Sequence, residues 1–206
     1  MERRILVWDA PTRVFHWLQV LSFAAAYLTA DSERMRNYHV ALGYILLGLL
    51  VFRLLWGFIG TRYARFRSFM FNPREILIYL LALVKGKQQH YLGHNPAGSV
   101  SVWMLLWLGM FICVTGVMAL QNDASDIVGD LHGAATYIML GVIALHLVGV
   151  LTSSLLHHEN LVSAMFTGFK FSRSGQGIQR AYNWLGVLMV VVAVIFWFAY
   201  VKKPLG

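Results

Sequence analysis

Residues 131–156 contain no Asp, Glu, Lys or Arg, and they outlast the roughly 20 apolar residues that carry a helix across a bilayer. In hydrocarbon such a segment must satisfy its backbone internally, so it is read as a membrane helix whose neighbours are helices too. Four more apolar runs follow the same logic, at about 14–30, 38–60, 99–120 and 182–201. A sixth, 74–84 (REILIYLLALV), is too short to cross and reads as an amphipathic helix lying at the interface. The expected fold class is all-α: an integral membrane four-helix bundle, one interfacial helix and a fifth transmembrane helix.

Composition agrees. Hydrophobic residues make up 58% of the chain and charged ones 13%, which leaves little mass outside the lipid bilayer. The first apolar run follows a polar segment and has no small-residue cleavage site, so no removable signal is expected. A single cysteine, Cys113, excludes an internal disulfide framework and a Cys-x-x-Cys-His attachment of covalent haem. The net charge of +8 is assigned to loops at a membrane surface rather than to nucleic-acid binding.

Those loops differ from side to side. Residues 61–87 hold Arg62, Arg65, Arg67, Arg74, Lys85 and Lys87. The loops expected opposite hold Asp31, Glu33, Asp123, Asp126 and Asp130 against Arg34 and Arg36. The positive-inside rule then puts the N-terminus in the cytoplasm of a bacterial cell, with the chain in the inner membrane. Five crossings leave the C-terminus outside, against the preference of Lys202 and Lys203. Residues 159–180 read as a mildly basic loop ending in the flexible FSRSGQG. The chain divides into a core domain, 1–160, and a linker with a C-terminal transmembrane helix, 161–206.

His132 and His146 share the opening segment. Fourteen residues on a helix are about four turns less 40°, so both imidazoles fall on nearly one face, about 21 Å apart along the axis. Membrane histidines of this kind either bond to neighbouring helices or line a site. Orientation supplies depths. His16, at the start of the first run, matches His146 near the cytoplasmic face; His39, at the start of the second, matches His132 near the outer face. Two pairs at two depths are what two bis-histidine haems stacked across a bilayer require, and with no covalent attachment these are haems b.

Weaker features accompany them. Arg53 lies fourteen residues after His39 and either meets a propionate of the inner haem or snorkels to headgroups; Arg13 allows the same two readings. Gly43 and Gly149, one turn after His39 and His146, leave room for a flat macrocycle, although glycine is common in membrane helices anyway. His90, His94, His157 and His158 read as solvated loop residues, with a third metal site as the alternative. Trp8, Trp17, Trp56 and Trp184 read as interfacial anchors, and Met139 as packing.

The segments WDAPTRVFHWL, NYHVALGYILLGLLVFRLLWG, YLGHNPAG and LHGAATYIMLGVIALH resemble the bacterial cytochrome b561 and nickel–iron hydrogenase b-type cytochrome superfamily over about residues 7–158. The resemblance implies a four-helix haem core with His16, His39, His132 and His146 as iron ligands, and exchange of electrons with a quinone in a respiratory chain. It also implies a separate redox partner, a periplasmic c-type cytochrome or a hydrogenase or dehydrogenase subunit. The alternatives are a self-sufficient superoxide:quinone oxidoreductase, which the acidic loop 121–130 disfavours, and a haem-free transport or assembly protein. The topology has its own test. A reporter fused after Lys87 is expected to be active only in its cytoplasmic form; activity of the periplasmic form inverts every depth given above.

Overall fold

A computed structural model of the chain describes residues 3–87, 89–121, 125–172 and 176–202. Five long helices dominate it: α1 (Ala10–Thr29), α2 (Arg36–Ile59), α4 (Pro96–Ala119), α5 (Asp126–Leu156) and α7 (Asn183–Val201). Two shorter helices, α3 (Pro73–Val84) and α6 (Leu161–Thr167), two 3-10 turns, Glu33–Met35 and Phe66–Phe69, and two strands, β1 (Arg3–Leu6) and β2 (Phe169–Ser172), complete the regular structure of the described residues.

The helix starts are written in the side chains. Asp9 accepts from the Thr12 amide and Pro11 sits in the first turn, so α1 begins four residues before the apolar run. Asn95 and Pro96 start α4 in the same way. Asn72 and Glu75 form a reciprocal capping box at the start of α3. α5 extends back to Asp126, five residues beyond its apolar run.

Four segments are long and apolar enough to cross a membrane: 33–59, which includes α2, and the helices α4, α5 and α7. α1 falls outside that set because Arg13, His16 and Gln19 make it the least apolar of the five long helices. It nevertheless runs the length of α2. Near one end the Asp9 carboxylate accepts from Trp56 Nε1 at 3.0 Å; near the other the Ala26 carbonyl lies 2.8 Å from His39 Nδ1. α1 therefore traverses the thickness that α2 traverses. α2 packs between α1 and α4, α5 packs on α4, and α7 packs on α1 and α2. α5 barely touches α1 or α2, and only Ala135, Met139 and Val142 of it are buried. The main core lies between α1, α2 and α4, around Phe15, Leu46, Leu49, Leu50, Leu106 and Cys113. α3 leaves Leu77, Ile78, Leu81 and Val84 exposed and buries Tyr79, as an interfacial helix does.

Residues 160–172 form regular structure rather than a loop. Asn160 caps α6, and β2 pairs antiparallel with β1, Arg3 opposite Ser172 and Leu6 opposite Phe169. Gly168 ends α6 at φ +86°, and its carbonyl accepts from the Val7 and Trp8 amides, where an added Cβ would strike the Trp8 carbonyl. Within FSRSGQG, Arg173, Ser174 and Gly175 lie outside the described residues; Gln176 receives a 2.8 Å bond from the Tyr63 hydroxyl through its carbonyl. Asp123 and Lys203 also lie outside the described residues.

Trp8 and Trp56 are 7% and 8% exposed, so both are core residues rather than interfacial anchors; Trp184, 66% exposed, keeps the anchor's role. One pair of substitutions tests the packing. Gly57→Ala would drive a methyl into the Phe66 ring, whereas a Cβ at Gly48 meets nothing within 4 Å. The first is expected to lower unfolding stability in detergent by about 1–3 kcal/mol. The second should be neutral or slightly stabilising, since alanine is the better helix former. Equal thermal shifts for the two would contradict this packing.

Candidate functional site

His39 lies in the first turn of α2 and His132 in the second turn of α5. Their ring centroids are 6.2 Å apart, with planes at 74°. His39 Nδ1 is 2.8 Å from the carbonyl of Ala26, and His132 Nδ1 is 2.9 Å from the carbonyl of Ile112. A carbonyl only accepts, so each Nδ1 carries the proton and each Nε2 keeps a lone pair. A metal bonded to both rings at about 2 Å per bond, with the ring radii added, needs about 6 Å between centroids. The observed separation fits.

Local backbone makes this pair available. At the end of α1 the Ala30 amide turns to Tyr27, which frees the Ala26 carbonyl for His39. On α4, Gly116 lets His132 come close: a Cβ there would lie 3.0 Å from the imidazole Cε1. The Thr115 hydroxyl lies 3.3 Å from the same Nδ1.

At the other end of the bundle His16 on α1 and His146 on α5 are near enough to interact electrostatically. Around them several buried polar atoms have no partner among the described residues: His16 Nδ1, Arg13 Nε, Arg53 Nη1 and His94 Nδ1. Arg53 is only 3% exposed, with its guanidinium 5.1 Å from the Phe66 ring centre and 5.9 Å from that of Phe69. Arg13 donates to the Phe166 carbonyl at 2.5 Å through its other nitrogen. Buried donors in native proteins are almost always paired, so two guanidiniums with spare N–H groups beside two imidazoles mark a place for an anion-bearing group. Haem propionates have that chemistry, and the residues at this end fit the group.

His94 is not a solvated loop residue. Its ring lies between Trp8 at 4.9 Å and Phe69 at 4.7 Å, and its Nδ1 is shut off from water. Burial first, then the charge of Arg53, pushes its pKa down to about 3, so it is neutral at physiological pH. Arg53 likewise does not snorkel; it is buried. Gly43 and Gly149 would each accept a Cβ with nothing within 4 Å, so both stand beside open space. His90 and His157 face each other at 5.1 Å, but among the described residues no group of three or more His, Cys, Asp or Glu is arranged to hold a metal. Met139 is 2% exposed, packed with Ile112 and Ala135, and stands seven residues from each histidine of α5.

Sequence reasoning missed four contributors: His94, Gly116, Thr115 and Asp9. Asp9 is fully buried and accepts from Thr12, Trp56 and Thr61, and it lies near Arg13 and Arg53. An acidic residue two before a proline, flanked by tryptophan, was the available signal for Asp9. None existed for Gly116.

The sequence model of the prokaryotic cytochrome b561 family matches residues 7–168. Among curated relatives, a probable Ni/Fe-hydrogenase B-type cytochrome subunit of Azotobacter vinelandii is 25% identical, over 81% of this chain and 88% of its own. The one from Rhodobacter capsulatus is 21% identical over 81% of both chains, and the hydrogenase 1 subunit of Escherichia coli K12 is 26% identical over 58% and 61%. No solved structure matches.

Proposed function

The chain belongs to the prokaryotic cytochrome b561 family, and on that premise we propose that it carries electrons between a periplasmic redox partner and the quinone pool through two haems b. Family membership and four long apolar helices make it a multi-pass membrane cytochrome of the b type. The finer reading is carried by one observation: two imidazoles from different helices, each with its Nδ1 occupied by a backbone carbonyl, face each other at 6.2 Å.

In this reading His39 and His132 hold the outer haem, and His16 and His146 the inner one. Each haem, when bound, supplies a one-electron iron couple. Carbonyls behind His39 and His132 fix their tautomer and raise their basicity as ligands. Arg13 and Arg53 donate to inner propionates, and Asp9 offsets part of their charge. The slack contact of α5 with α1 and α2 leaves the two macrocycles room, with Gly43 and Gly149 beside it. Met139 fills the layer between. The helix arithmetic puts the irons about 20 Å apart with macrocycle edges closer, a separation that supports transfer across the hydrocarbon layer.

The basic segment 61–87 supports a cytoplasmic N-terminus and an inner-membrane location. The quinone is assigned to the inner end, beside α3, whose exposed leucines and isoleucine would keep company with its tail. The names of the relatives support a hydrogenase as the periplasmic partner, and the acidic outer loops suit a positively charged electron carrier as well. Residues 1–160 form the di-haem unit in this reading, and 161–206 extend it.

Reduced-minus-oxidised spectra with haem quantitation test the assignment. Two haems per chain are expected. Replacing His39 or His132 by alanine should remove one haem and leave the other, and replacing His16 or His146 should do the converse. Full retention of both haems by any of these variants breaks the pairing. Arg53→Gln should retain both haems but lower the inner potential by about 60 mV, a tenfold change in a one-electron equilibrium, because a nearby positive charge favours the reduced form. An unchanged potential removes Arg53 from the site.

A further inference from the structure

Beyond the C-terminal end of α5 lies an ionisable cluster that electron transfer alone does not use. His157 caps α5, His158 adopts φ 51°, and Glu159 follows. Glu159 Oε2 accepts from Lys170 Nζ at 3.1 Å and lies 3.3 Å from His90 Nε2. The Lys170 side chain, on β2, is 2% exposed, that of Glu159 16%, and that of His90 44%. The cluster therefore runs from solvent at His90, through Glu159, to a buried lysine.

Two details set it apart from a structural ion pair. Glu159 crowds its bonds onto one oxygen and leaves the other, Oε1, buried with no partner among the described residues. A buried carboxylate held only for stability is expected to satisfy both oxygens. The cluster also points at the inner site. Lys170 is near enough to His94 to interact with it, and His94 in turn interacts with Arg53, His146 and His16. Asn95, next to His94, reaches Ser153 of α5 at 3.5 Å, which ties this loop to the helix end that presents Glu159.

We propose that Glu159 is the proton-entry group of the inner site, loaded from water past His90 and His157 and held in place by Lys170. The proposal rests on the quinone reading above. Quinone reduction there takes two electrons, arriving singly through the haem sites, and two protons, and releases a quinol. Oε1 is the free acceptor past which such a proton moves inward, and the proton is replaced from water after each transfer. Among the described residues, His90, His157, His158 and Lys170 are the charged or titratable groups around it. Burial, then the neighbouring His90, holds the His157 pKa below its ordinary value, with Glu159 opposing that shift and Lys170 adding to it.

The experiment uses the full chain with both haems, reduced with dithionite and mixed in a stopped-flow instrument with a short-chain ubiquinone analogue from pH 6 to 9. Glu159→Gln is expected to slow haem oxidation by quinone about tenfold at pH 8 and to flatten its pH profile. Oxidation by ferricyanide, which takes an electron and no proton, should be unchanged, as should haem content and spectrum. A redox-difference infrared band in the carboxyl region should be present in the wild type and absent in the variant. If Glu159→Gln lowers haem content, Glu159→Asp is measured instead, and a displaced pH profile with normal ferricyanide oxidation supports the proposal. Identical quinone rates and pH profiles in variant and wild type overturn it while leaving the quinone reading intact. A wild type that quinone does not oxidise, although ferricyanide does, removes the quinone reading and this proposal together.

Discussion

An imidazole inside a membrane can offer one nitrogen to a ligand only if protein satisfies the other. This constraint organises the end of the bundle that holds His39 and His132. His39 uses a carbonyl that α1 releases as its last turn tightens, and His132 uses one on α4. Each imidazole is thereby fixed by the helix that neighbours its own. The packing of α1 on α2, and of α4 on α5, sets the geometry of the two imidazoles directly. A glycine at 116 is part of that geometry, because a side chain there would push His132 away from its carbonyl.

The opposite end is governed by charge. Arg53 and Arg13 bring two guanidiniums into a largely apolar region, a costly arrangement without compensation. Asp9 offsets part of it, and aromatic faces of Phe66 and Phe69 offset some more. The N–H groups left over are what make this end receptive to a carboxylate-bearing group. Asp9 joins both tasks, since it also caps α1 and accepts the Trp56 indole and the Thr61 hydroxyl. A single substitution at this position would disturb the helix start, the α1–α2 contact and the charge balance together.

The helical architecture was legible because bilayer thickness fixes the length of an apolar run, and the histidine spacing because fourteen residues nearly complete whole turns. The His39–His132 pairing follows from depth alone. His94 was misread: YLGHNPAG looks like a polar turn, and nothing local reveals that Trp8 and Phe69, distant in sequence, close over it. The strand pairing of residues 3–6 with 169–172 was invisible for the same reason, because two four-residue segments carry no periodicity strong enough to announce partners so far apart. Arg53 was legible as a face but not as a buried one, because long cationic side chains reach either way.

That strand pairing bears on the order in which the protein is made. The chain emerges N-terminus first, and β1 and the Val7 and Trp8 amides find their partners only when residues 168–172 have been synthesised. His16 likewise waits for His146. Until then α1, the least apolar of the long helices, has α2 for company but neither its terminal strand nor its second histidine. Assembly of the end that holds His39 needs only residues up to His132, so it is complete earlier in synthesis than the end that holds His16. Residues 161–172 then act as a clasp, closing the N-terminal segment over a site whose parts come from both halves of the chain.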